Sequence, residues 1–265
     1  MPSSLSFLVN GLVPLGMFVV LGCGSGPVSK SRYDAIPSSD RECHEELEKA
    51  RTDIASSQLV YCHLAGNLLY FRLRSAKELE ELLSTHGIGY KEEMTSDVVV
   101  EGKTQWCYCG LMEEQIAAKY GEHFIDSLID VSDDWYVKNA ISNGDTLYYA
   151  ECDTRPRYPG DDEHPDDDSD SLQASIERHL QYPAGYQPRP NLDSIAFADV
   201  RFLVDTAGNA SILYYHFLFD MDANHLFEDT LIAQIERCVQ RTGWLPALVR
   251  GRKVQADMNY RIYFE

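Results

Sequence analysis

Positive charge is scarce in this sequence: 23 Lys and Arg stand against 42 Asp and Glu, for a net charge of −19. A chain without basic patches cannot neutralise phosphates, which excludes nucleic acid as a partner. It also has little affinity for an anionic membrane surface. Catalytic patterns are missing too. No HExxH occurs among the 8 His, and no Ser sits in a Gly-x-Ser-x-Gly elbow. Cys62 and His63 are sequence neighbours and point apart on either a helix or a strand. The acidic run Asp161 to Asp170 lacks the Gly and the closing Glu of a calcium loop and reads as a solvated linker. The expectation is a binding protein without metal or cofactor, and not an enzyme.

Long apolar runs are nearly absent as well. The one exception, Leu5 to Gly22, includes Asn10 and Pro14, and no charged side chain lies within residues 1–22. Small residues and Cys23 follow it, in Val20-Leu21-Gly22-Cys23. An apolar core ending in small residues fits an export signal. The segment resembles a bacterial lipobox, which implies lipidation of Cys23 and a membrane-anchored, periplasm-facing lipoprotein of the cell envelope. Of the 7 Cys, this leaves Cys43, Cys62, Cys107, Cys109, Cys152 and Cys238. An even remainder in an oxidising compartment permits disulfides without choosing their pairing.

Aromatics are abundant, with 16 Tyr and 10 Phe. They favour sheet surfaces and interfaces. Residues 1–22 form the signal or anchor, and 23–57 a tether and a charged helix capped by Asp40 and running towards Tyr61. Residues 58–150 read as a smaller mixed α/β segment. Its expected elements are a strand over 68–74 and a helix from Ser75 to Gly87. A hairpin over 97–109 follows, with Cys107 and Cys109 on one strand face, then a helix from Glu113 to Ile129.

Residues 151–265 are the most legible part. Ser171 opens a helix through Leu172, Ile176 and Leu180, which stops before Tyr182-Pro183. Strands over 195–205 and 210–219 flank the turn Asp205 to Asn209. A second helix carries Phe227, Leu231, Ile235 and Val239, and a last strand runs from Val254 to Phe264. The fold class expected is α+β, a three-stranded antiparallel sheet with both helices on one face. The strand over 212–219 is apolar on both faces, so its outer face is expected to be covered.

This part resembles the C-terminal domain of the TonB energy-transducer family, in the form common among Bacteroidetes-type proteins. The resemblance is carried by Tyr158-Pro159-Gly160, by Tyr182-Pro183 at the end of the first helix, and by Val204-Asp205-Thr206-Ala207-Gly208. It continues in Asp229-Thr230-Leu231, in Trp244-Leu245-Pro246-Ala247 with Gly251 and Lys253-Val254, and in the alternating strand ending at Phe264. It implies docking of outer-membrane receptor segments by strand addition. The last strand is the expected edge, at Val254, Ala256, Met258, Tyr260 and Ile262. Trp244, Pro246, Tyr182 and Pro183 are expected mainly as scaffold. The Pro-rich spacer of a transducer is missing and, if Cys23 is lipidated, so is its spanning helix. The expected role is therefore accessory to TonB-dependent transport, or that of a structural envelope lipoprotein. Expected partners are an outer-membrane receptor, another envelope protein or a second copy of the chain.

Overall fold

The computed structural model describes residues 31–66, 73–94, 98, 101–161, 170–191 and 193–265. Cys23, residues 68–72 of the strand expected over 68–74 and residues 162–169 of the acidic run lie outside them; Leu73 and Arg74, which are described, form no strand.

The first helix, α1 (Arg41–Ala55), is capped by the buried Asp40, whose carboxylate accepts from the Cys43 and Thr104 N–H groups. Its stripe of Cys43, Leu47 and Ala50 is fully buried, so only its other faces meet solvent. The chain leaves this helix earlier than expected. Strand β1 (Leu59–Ala65) pairs in parallel with β2 (Ile88–Met94), and α2 (Ala76–Thr85) makes the crossover between them. Leu79 and Leu83 on α2 reach the same buried cluster as Leu47, Ile88, Met112 and Ile116.

The expected hairpin over 97–109 is corrected by the next element. Helix α3 (Cys107–Tyr120) starts where its second strand was expected, directly after Trp106 in a left-handed conformation. The cause is covalent as well as steric. Cys107 bonds Cys43 on α1, and Cys109 bonds Cys62 on β1. One helical turn thereby ties two elements whose positions local propensity cannot see. The expected single helix over 113–129 is two, α3 and α4 (Phe124–Asn143), broken around Gly121.

The C-terminal part follows the expected order. Helix α5 (Asp170–His179) precedes strands β3 (Ala196–Val204) and β4 (Ala210–Phe219); helix α6 (Glu228–Arg241) follows. The chain then forms a small hairpin, β5 (Ala247–Val249) and β6 (Arg252–Val254), before β7 (Ala256–Tyr263). Strands β4, β3 and β7 form an antiparallel sheet in that order. Leu172 and Ile176 of α5 and Leu231, Ile235 and Val239 of α6 pack with the inward residues of the sheet, so both helices cover one face. The fold is α+β.

In the turn between β3 and β4, the Asp205 carboxylate accepts from the Ala207 and Asn209 N–H groups at 2.8 and 2.9 Å, in the manner of an Asx turn. These bonds, led by those from Asn209, hold its pKa below the usual carboxylate range. Gly208 there has φ +88, and a side chain would overlap the Trp244 carbonyl oxygen.

A third buried cluster joins the two parts. Val137, Ala140 and Leu147 pack against Ala247, Val249, Val254 and Ala256. Charges ring it. Arg74 holds Asp133 through two bonds of 2.7 and 2.6 Å and reaches Asp153 at 2.6 Å. Arg252 pairs with Asp134 at 2.8 Å, and the Arg250 N–H donates to Asp153 at 2.6 Å.

Candidate docking edges

The last strand lies at an edge of the sheet, where its geometry separates two sets of residues. Val254, Ala256, Met258, Tyr260 and Ile262 are buried. Val254 belongs to the β6 hairpin and not to β7. Met258, Tyr260 and Ile262 point to the helices and Ala256 to the cluster around Val137 and Leu147, while the backbone groups of Ala256, Met258, Tyr260 and Ile262 face β3, opposite Val204, Phe202, Val200 and Ala198. Their side chains are therefore core. The backbone groups that look outward belong to the alternate residues Asp257, Asn259, Arg261 and Tyr263, because backbone direction alternates along a strand with side-chain direction.

Two of those four are already engaged, each by a distant part of the chain. At the start of β7, the Leu147 N–H donates to the Gln255 carbonyl and the Leu147 carbonyl accepts from the Asp257 N–H, both at 2.9 Å. This is a parallel bridge. The Tyr149 N–H adds a bond to the Asp257 carboxylate at 3.3 Å. At the other end the Gln173 side chain donates to the Tyr263 carbonyl at 2.9 Å and accepts from the Tyr263 N–H at 3.0 Å. Between these caps, among the described residues, nothing meets the outward N–H and C=O of Asn259 and Arg261.

The open face of the sheet carries the side chains of these outward residues. Arg261 bonds Asp199 at 2.7 and 3.0 Å and lies over the Phe197 ring at 3.9 Å. Its Asp199 partner raises its pKa further. Arg201 bonds the buried Asp257 at 2.9 Å. Phe197 stands between Leu218 of β4 and Tyr263 of β7.

The second edge, β4, was not singled out in the sequence. Its outward backbone groups, from Ala210 to Phe219, have no partner among the described residues. Beside them Leu213, Tyr214 and Leu218 are 53%, 48% and 39% exposed, so among the described residues nothing supplies the expected cover over this strand. The signal was present as an uncharged ten-residue run, since an edge strand without charged guards invites pairing.

The remaining motif residues are mostly internal supports. Trp244 is buried, donates to the Val239 carbonyl at 2.9 Å, and meets Tyr158 edge-on at 5.8 Å. Gly251 supplies the tight turn of the β5–β6 hairpin, and Pro246 immediately precedes it. Gly160 also takes a positive φ. The Tyr182 hydroxyl accepts from the Glu265 N–H at 2.8 Å, and its ring stacks on Tyr186. Pro159 and Tyr158 line a cleft of about 620 Å³ between α5 and α6, with His179, Arg237 and Arg241. Tyr182 and Pro183 line the adjoining one. Among the described residues no helix is long and apolar enough to cross a membrane. Compared with known proteins, the chain matches no family model, no curated protein and no solved structure.

Proposed function

We propose that this is an envelope-anchored protein whose C-terminal module, residues 151–265, docks extended peptide segments by adding a fourth strand along β7. The partner is an outer-membrane receptor or another periplasm-facing protein, and the role is accessory to TonB-dependent transport. The observation that carries this is the pair of groups already standing in fourth-strand positions beside β7, Leu147 and Gln173, with open backbone between them. Strand addition draws its affinity from such main-chain groups, and its specificity from the side chains beside them. Here those are Asn259, Arg261 and Tyr263. Two disulfides suit an oxidising compartment, and Cys23 would supply the lipid anchor.

The test is a panel of synthetic peptides from periplasm-facing segments of outer-membrane receptors, titrated against wild type, Asn259→Pro and Leu218→Lys. Asn259→Pro removes an outward N–H at an edge, where proline is tolerated. Loss of binding in that variant with retention in Leu218→Lys supports docking at β7. The opposite pattern refutes it. The β4 edge favours a second reading, self-association of a structural envelope protein through paired β4 strands. Sedimentation of the intact chain checks it: a dimer abolished by Leu218→Lys supports it, and a monomer at every concentration excludes it.

A further inference from the structure

We propose that Gln173 is a built-in competitor for the β7 edge, displaced by the incoming strand when it docks. This rests on the docking function proposed above and assigns a regulator to that same site.

A side-chain amide offers one N–H edge and one C=O in a plane, as a peptide unit does. Gln173 presents both to Tyr263, 90 residues away in the sequence, at 2.9 and 3.0 Å. It thereby satisfies the outward groups that a fourth strand would otherwise take. The two caps differ in how they are held. Leu147 is a main-chain cap, and its side chain is buried in the cluster with Val137 and Ala256, so removing it would open that cluster. Gln173 is a single side chain on a surface helix, and its Nε2 also donates to Glu177 at 2.8 Å. On leaving Tyr263 the amide keeps that second partner and gains water, so its displacement costs little. The edge therefore has one fixed boundary and one yielding boundary. A docked strand lies beside Asn259 to Tyr263, starting past Leu147 and finishing where Gln173 stood.

If Gln173 were only a tie between α5 and β7, removing it would leave peptide affinity unchanged or lower it. A competitor gives the opposite sign. The experiment uses the full chain and a fluorescein-labelled heptapeptide of alternating Thr and Val flanked by Lys, followed by anisotropy. Gln173→Ala is expected to bind it about threefold to tenfold more tightly than wild type, the scale of one net hydrogen bond. Gln173→Glu is expected to tighten binding less than Gln173→Ala, because its carboxylate cannot donate to the Tyr263 carbonyl but still accepts from the Tyr263 N–H. Amide exchange gives a second measure that needs no peptide. The Tyr263 N–H should exchange faster in Gln173→Ala, which removes its acceptor, while the Met258 and Tyr260 N–H groups, bonded to β3, stay protected. Equal or weaker peptide binding in both variants, or an unchanged Tyr263 exchange rate in Gln173→Ala, overturns the proposal. A wild type and variants that all fail to bind the peptide would remove the docking function itself.

Discussion

Replacing Gly208 by alanine tests how the hairpin, the Trp244 loop and the core depend on one another. The residue sits at φ +88, where a side chain costs about 1–2 kcal/mol in backbone strain. A methyl group there would overlap the Trp244 carbonyl oxygen and come within 3.3 Å of the carbonyl carbon. Relief requires the β3–β4 turn and the Trp244 loop to part. That strains the 3.1 Å bond from the Trp244 N–H to the Gly208 carbonyl, worth about 1 kcal/mol. It also loosens the indole, which packs 4.8 Å from the Phe202 ring. The sum is about 3 kcal/mol or more, a large part of the roughly 5–15 kcal/mol that stabilises an ordinary domain. Gly251→Ala is the matched control. Its φ is also positive, at +71, but a methyl group would meet nothing within 4 Å, so backbone strain of about 1–2 kcal/mol is all it should cost. Urea unfolding of both variants, followed by tryptophan fluorescence, measures the difference. Equal destabilisation would refute the close approach of Gly208 to Trp244.

Cys43→Ser should destabilise the chain by about 4 kcal/mol, since the lost bond closes a 64-residue separation; chemical unfolding checks this. Iodoacetamide applied to the denatured chain without reductant should leave Cys43, Cys62, Cys107 and Cys109 unmodified, as mass spectrometry would show. Acid should find out Asp40. The Thr104 N–H, ahead of Cys43 and Lys103, holds its pKa below the usual carboxylate range. The folded state therefore resists protonation, and the stability this confers is present above about pH 4 and lost as the pH falls through the lowered value. The stability gap between wild type and Asp40→Asn should thus shrink below about pH 4 in urea titrations.

The elements of the C-terminal part were legible because each is announced locally. The stripe Leu231, Ile235 and Val239 marks α6, and Asp205 to Asn209 marks the turn. The middle of the chain was less so. Trp106 to Cys109 is rich in strand-favouring side chains, yet it begins a helix, because two disulfides to residues 64 and 47 positions away fix it there. Alternation along β7 showed that Ala256, Met258, Tyr260 and Ile262 share a face. It could not show that this face is core, nor that the available backbone belongs to their neighbours, since both depend on where β3 lies. Leu147 and Gln173 were invisible as caps for the same reason: each meets β7 across about 90 to 110 residues of chain.

Helix α4 belongs to two interiors at once. Near its start, Phe124, Ile125 and Leu128 pack on the cluster around Leu47 and Met112; further along, Val137 and Ala140 pack on the β5–β6 hairpin. Shared ownership of one rigid element couples melting, so neither interior can come apart without exposing part of the other. A fragment cut at residue 150 would carry Ala247, Val249, Val254 and Ala256 without their cover, and β7 without Leu147. Such a fragment would present a longer free edge and a stickier surface than the intact chain ever does, and its binding behaviour would describe the cut more than the protein.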